Sequence, residues 1–308
     1  MGLDATSGII GYNSRVVTSV FKSMLGDNFH TKYDPKIPPI PWNPEIHEST
    51  RKLRIGYFSS IPFFPPVGDT IDVVEKAVEA LKSLGHTLVP IEIPEGARLM
   101  RCAANFLLAD QSLRLNKLWK GEQVAKCAEL NKLGARCPTW VLKLASFLMH
   151  RKMLSFLYSP ALGSILDAGA FKSSELWDNS GEQKKLNEEM LATWSKLQLD
   201  CCLCPVMPFP AIPVNLPGLL PVAAVYTMTW NVVNFPAGVV KFGTESGKNI
   251  DNYDNRGDQA LKMSQQACKE SIGSPIGVQV VGLPFKEELV LRVMEELDNY
   301  AIENKLFA

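Results

Sequence analysis

The stretch from Leu53 to Pro94 constrains the fold most. "LRIGYF" at 53–58 is a short apolar run bounded by polar residues, and "HTLVPIEIP" at 86–94 is a second run of strand composition. Between them, "DTIDVVEKAVEALKSLG" places Val73, Val74, Ala77, Val78 and Leu81 at helical spacing, an apolar stripe that has to face a neighbour. Asp69 or Thr70 stands where a cap would start that helix, and Gly85 where it would end. A strand, a helix and a strand of these lengths form a parallel pair joined by a crossover, because parallel neighbours cannot be linked by a tight turn. The chain is expected to be α/β.

The rest of the chain fits that class. Residues 96–118 and 173–197 read as helices, "DCCLCPVMP" and "IGVQVVGLP" as buried strands, and "KEELVLRVMEELDNYA" as a closing helix. Residues 26–50 hold five prolines and read as an extended connection over a neighbouring layer. The loop "GKNIDNYDNRGDQ" is polar and expected to be exposed. In "YTMTWNVVNFPAGVVKFG", Tyr226 to Gly243, the Pro-Ala-Gly step breaks an otherwise apolar run. Proline removes a backbone donor and glycine loosens the chain, so one element ends there and another begins.

Residues 137–166, "CPTWVLKLASFLMHRKMLSFLYSPALGSIL", are unusually apolar. As a helix from Trp140, the segment puts Trp140, Leu144, Phe147 and Leu148 on one face and Lys143, Ser146 and His150 on the other. His150, Arg151 and Lys152 interrupt the run before Met153, Leu154, Phe156, Leu157 and Tyr158 resume it, and Pro160 is expected to stop it. A core helix pair and a patch lying in a membrane surface both fit this pattern. No stretch reaches 18 uninterrupted apolar residues, so a spanning helix is not expected.

Composition excludes several functions. Lys plus Arg and Asp plus Glu number 32 each, which leaves no global field for nucleic acid, and no basic patch interleaved with aromatics is present. Neither a P-loop nor a dinucleotide-binding glycine pattern occurs. Seven cysteines and four scattered histidines show neither disulfide-scaffold density nor paired metal spacing, which points to a reducing compartment and to no metal site. Cys201, Cys202 and Cys204 read as small hydrophobes in a buried strand, and His86 as a surface turn residue. No secretory signal is visible, and Gly2 with Thr6 matches only the loose N-myristoylation pattern.

Three segments in order, "LDCCLCPVMP", "TMTWNVVNFPAGVV" and "GSPIGVQVVGLPFKEELVLRV", resemble the C-terminal half of the amidase-signature hydrolases. Within them, "YDPKIPPIPW", "RKLRIGYF", "LKSLGHTLVP" and the apolar hairpin make the chain similar to the fatty-acid amide hydrolases from about residue 16 onward. The resemblance implies a twisted mixed sheet flanked by helices, with residues 1–308 as the C-terminal part of one amidase domain and the N-terminal half missing. It implies that 137–166 is a membrane-binding cap, with Trp140, Leu144, Phe147, Leu148, Phe156 and Leu157 at the membrane. Thr227, Met228, Asn231, Phe285 and Leu108 would line an acyl channel, and the turn after the 226–233 helix would lead into a central strand. The substrate would be a fatty-acid amide, cleaved without metal or organic cofactor, by a homodimer held monotopically on the cytoplasmic face of the endoplasmic reticulum.

The family's chemistry uses a Lys-Ser-Ser triad in a Gly-Ser-rich stretch, since a serine attacks an amide only when a base takes its proton and donors hold the oxyanion. Nothing here matches that stretch. The Gly-Ser and Ser-Gly pairs are isolated, and "GSPIG" at 273–277 reads as a turn before a strand. No catalytic residue is assigned, and the chain is expected to be inactive alone. A non-catalytic membrane-associated binding protein, or a dimerisation partner of a full-length enzyme, is the alternative.

Overall fold

The computed structural model describes residues 2–3, 7–26, 29–110, 117–123, 137–151, 155–166 and 173–306. Five strands form one sheet in the order β2-β1-β3-β5-β4. They are β1 Arg54–Tyr57, β2 Thr87–Pro90, β3 Cys201–Pro205, β4 Ala237–Thr244 and β5 Pro275–Gly282. β1 runs parallel to β2 and β3, and β5 runs antiparallel to β3 and β4, so the sheet is mixed.

Helices α1 (Ser14–Leu25), α2 (Phe29–Tyr33) and α3 (Pro44–His47) precede β1, and α4 (Thr70–Ser83) makes the expected crossover to β2. Between β2 and β3 come α5 (Gly96–Leu107), α6 (Thr139–Met149), α7 (Pro160–Leu166) and α8 (Ser173–Leu197). α9 (Val225–Val233) leads into β4, α10 (Gln259–Lys269) precedes β5, and α11 (Glu287–Glu303) follows it.

β3 explains why the sheet is covered on both sides. Its five residues are all buried. Cys201 and Leu203 enter the core shared with α4 and α11, while Cys202 and Cys204 enter the core built from α5, α8 and α9. Side chains alternate across a strand, so an unbroken apolar run requires a greasy layer on each face. Burial pushes the Cys201 and Cys202 thiols well above the ordinary value and Cys102 to about 12, which leaves these thiols protonated and inert. Cys127 lies outside the described residues.

Several expectations are corrected. Asp69 precedes α4 but makes no capping bond. Its carboxylate instead accepts from the Ser246 amide at 2.7 Å and the Asn249 side chain at 3.0 Å, tying the loop after β4 to the start of α4. Thr70 is the first helical residue and its hydroxyl finds no partner among the described residues. At the other end Gly85 does close the helix, with φ +91° and backbone bonds Gly85 N to Lys82 O (2.8 Å) and His86 N to Leu81 O (3.1 Å). The 26–50 connection contains the short α2 and α3, the latter started by Pro44 and capped by the Asn43 side chain. The helix expected over 96–118 ends at Leu107, and residues 111–116 lie outside the described set. The 247–259 loop is anchored by buried Ile250 and Asp258 rather than wholly exposed.

His86 is not a surface residue. Its side chain is 1% exposed, its Nδ1 accepts from the Leu53 amide at 3.0 Å, and its Nε2 therefore carries the proton shared with Glu296 at 2.7 Å. Burial alone would raise the Glu296 carboxyl, but the bonds from His86 and Arg292 outweigh it and hold Glu296 below its ordinary value. A carboxyl depressed in the folded state stabilises above its unfolded pKa of about 4.3, and that contribution is lost as pH falls through the lower folded value. Urea unfolding of wild type should therefore lose stability below about pH 4.3 more steeply than Glu296→Gln. Parallel pH profiles would refute this role.

Candidate functional site

The break at the start of β4 is made by Asn234 rather than by the Pro-Ala-Gly step. Asn234 adopts φ 58° and ψ 46°, the left-handed conformation that asparagine tolerates, and the Phe235 amide returns to the Trp230 carbonyl at 3.0 Å. Pro236 then bars further helix, and Ala237 and Gly238 already belong to β4. Gly238 is needed there because a Cβ would come within 2.2 Å of the Met294 sulfur on α11. β4 is at the sheet edge among the described residues, not central.

α9 has two unlike sides. Tyr226, Thr229, Trp230 and Val233 are buried, whereas Thr227 and Met228 are half-buried and Asn231 is exposed. The Tyr226 hydroxyl accepts from the Ile61 amide and donates to the Phe64 carbonyl, each at 2.9 Å, which pins the 61–64 loop onto the helix. α5 packs against α9, and half-buried Leu108 follows the C-terminus of α5. Phe285 is exposed at φ 63° in the turn between β5 and α11. The Gly282 amide bonds the Pro236 carbonyl at 3.0 Å, which sets the end of β5 beside the turn that follows α9.

An apolar cavity of about 490 Å³ opens at the other end of α9. It is lined by Val206, Met207, Phe209, Leu220, Ala224 and Ile276 among others. The Thr227 hydroxyl donates to the Ala224 carbonyl at 3.1 Å, so the α9 face begins at the cavity wall. The sequence reading missed these lining residues. The signal was "PVMPFPAIPVNLPGLLP", 205–221, whose six prolines make it neither helix nor central strand while its side chains stay apolar.

The apolar hairpin turns its greasy face outward. Trp140 is 68% exposed, Leu144 51%, Phe147 51% and Phe156 68%, while Leu148 and Leu157 are half-buried. What packs inward is Ser146, whose hydroxyl donates to the Gly163 carbonyl at 3.0 Å. The lack of a Cβ at Gly163 also makes room for the His150 ring, 2.6 Å from where a Cβ would stand. Pro160 starts α7 rather than stopping the segment, since the first helical position has no use for its missing N–H. Lys152, Met153 and Leu154 lie outside the described residues.

Buried serines are spent on structure. Ser146, Ser164, Ser264 and Ser271 donate to backbone carbonyls, and Ser159 donates to Asp258 at 2.7 Å. "GSPIG" is the expected turn, with Gly273 at φ +85° just before β5. Among the described residues no three His, Cys, Asp or Glu side chains gather as metal ligands.

The profile of the family described as Amidase matches residues 3–291. Fatty-acid amide hydrolase 1 of Sus scrofa is 33% identical over 276 residues, covering 87% of this chain and 46% of its own length. Fatty acid amide hydrolase 1 of Caenorhabditis elegans is 27% identical over 302 residues, covering 96% and 51% respectively. A solved structure described as fatty acid amide hydrolase superposes with a TM-score of 0.73 at 16% identity, over 99% of this chain and 49% of that one. The chain spans about half the length of the curated relatives it matches.

Proposed function

The chain belongs to the amidase family, and on that premise we propose that it is the C-terminal part of a fatty-acid amide hydrolase. The whole protein cleaves fatty-acid amides and N-acylethanolamines to a fatty acid and ammonia or amine. This part supplies one wall of the acyl channel, through Thr227, Met228, Asn231, Leu108 and Phe285, and a monotopic cap. The apolar cavity beside Ala224 extends that wall with side chains suited to an alkyl chain. The nucleophile and its base come from the other half, so this chain alone is inert. The cap places the protein on the cytoplasmic face of the endoplasmic reticulum, as a homodimer.

The observation that carries this reading is the outward apolar face of α6 with Phe156. Trp140, Phe147 and Phe156 each leave at least half of their surface in water, and a membrane surface receives such side chains. No described helix is long and apolar enough to cross a bilayer, which agrees with a segment lying in the interface. A chain carrying Trp140→Ser, Phe147→Ser and Phe156→Ser should partition onto phosphatidylcholine vesicles at least about 100-fold less than wild type, each lost apolar side chain being worth roughly 1.5–3 kcal/mol when fully withdrawn from water. Unchanged co-sedimentation would sink the cap.

The buried serine hydroxyls, spent on carbonyls, favour a second reading in which the chain is a non-catalytic, membrane-associated partner of a full-length enzyme. A fluorophosphonate label with an oleamide assay addresses inertness in both. Silence from folded, vesicle-binding chain is expected. Labelling with turnover would mean a complete triad resides here. Restoration of turnover by adding the N-terminal half of a relative would favour the first reading over the second.

A further inference from the structure

A cavity of about 760 Å³ lies where α5, α6 and α8 meet, away from the apolar cavity at α9. Arg98 and Arg101 reach it from α5, Lys143 from α6 and Lys185 from α8. Arg98 is already committed: its guanidinium holds Glu182 at 2.7 Å and Glu189 at 3.0 Å, which raises its pKa further. Arg101, Lys143 and Lys185 have no carboxylate partner among the described residues.

Three unpaired cations delivered by three separate helices to one concavity repel one another, and each gains if an anion enters. We propose that this cavity binds a phosphate monoester, with Arg101, Lys143 and Lys185 as its ligands. The planar guanidinium matches two phosphate oxygens at once, and the lysines add point charges around the rest. Glu182 is paired with Arg98, but Glu175 and Asp178 also line the cavity, so the excess of positive charge is modest and the choice of phosphate rests on the fork geometry of Arg101 with two lysines around it. Glu175, Asp178 and Glu182 share the cavity, so a polyanion such as nucleic acid is disfavoured. Lys143 also fixes the location of the site: expected with Ser146 on the face opposite Trp140, it is instead exposed as Trp140 and Leu144 are while Ser146 is buried, so a phosphate held there lies at the flank of the apolar face. Only the assignment to a membrane rests on the cap reading; the cavity and its cations stand without it.

The ester can come from a lipid headgroup or from a soluble phosphate, and two probes separate them. Wild type should bind phosphatidylcholine vesicles containing phosphatidic acid roughly 100-fold more tightly than vesicles without it, each basic residue near the surface contributing somewhat under tenfold. Arg101→Gln with Lys143→Gln and Lys185→Gln should remove that preference and keep the phosphatidylcholine affinity. A charge-matched control, Lys36→Gln with Lys76→Gln and Lys248→Gln, should keep the preference. An equal loss in the control, or a preference that survives the cavity variant, would overturn the proposal. In the absence of vesicles, calorimetric titration with glycerol phosphate identifies the source: saturable heat abolished by the cavity variant assigns the site to soluble esters, and no heat with a retained vesicle preference assigns it to lipid. Absence of both overturns the site. The ratio between vesicles reports the cavity and the total partition reports the cap, so the cap variant should lower both affinities together and leave the ratio intact.

Discussion

Trp230→Ala is expected to lower the free energy of unfolding by about 3–5 kcal/mol, the range for truncating a large buried aromatic. Trp230 is fully buried on α9 and meets Phe58, Trp194 and Phe235 at ring-centroid distances of 6.2, 6.3 and 6.4 Å. Removing it opens a void that these rings cannot fill without leaving their own packing, and it frees the side of α9 that holds Thr227 and Met228 in place. Urea titration would show a lower midpoint with an unchanged slope. Trp230→Phe should lose distinctly less, because it keeps most of the volume and deletes an indole N–H that has no partner among the described residues. An alanine variant within about 1 kcal/mol of wild type would refute the central place given to this ring.

Gly68→Ala is the second large effect, expected to exceed roughly 3 kcal/mol. Gly68 has φ +66°, and a Cβ there would lie 2.1 Å from an oxygen of Glu245. Glu245 is 1% exposed and bonded to the amides of Asp69 at 2.9 Å and Gly247 at 2.8 Å. To admit a methyl group, the carboxylate would have to leave both donors inside the protein, where an unpaired charge is costly. The contrast is Gly181, in the middle of α8 with open space where a Cβ would stand. Gly181→Ala should stabilise by about 0.5–1 kcal/mol through helix propensity alone. The same substitution therefore has opposite signs at two glycines, and thermal unfolding of the pair measures it directly.

The α4 crossover and the span of α8 were legible because they rest on interactions between residues close in sequence. The apolar stripe of α4 repeats every three to four residues, and its final turn is closed by a glycine that needs no distant partner. Chemistry that depends on remote partners was not legible. Asp69 stands where a capping residue should, yet bonds Ser246 and Asn249, 177 and 180 residues away. His86 follows a turn and reads as exposed, yet pairs with Glu296, 210 residues away. The apolar cavity was hidden for a related reason: its lining comes from a proline-rich stretch with no periodicity and from the start of β5.

The amino-acid order by itself determined an α/β chain, a strand at β3 that demands cover on both faces, and an amphipathic helix from Trp140 onward. Periodicity, however, is symmetric between an apolar face turned in and one turned out. Only the tertiary structure decided that Trp140, Leu144 and Phe147 point to solvent, because Ser146 is held against the Gly163 carbonyl on the opposite side of the helix. Likewise, each basic residue of α5, α6 and α8 is unremarkable along its own helix. Packing alone brings Arg101, Lys143 and Lys185 around one cavity: α5 and α8 share one apolar core, and α6 is held beside them through α7 by the Ser146 bond to the Gly163 carbonyl.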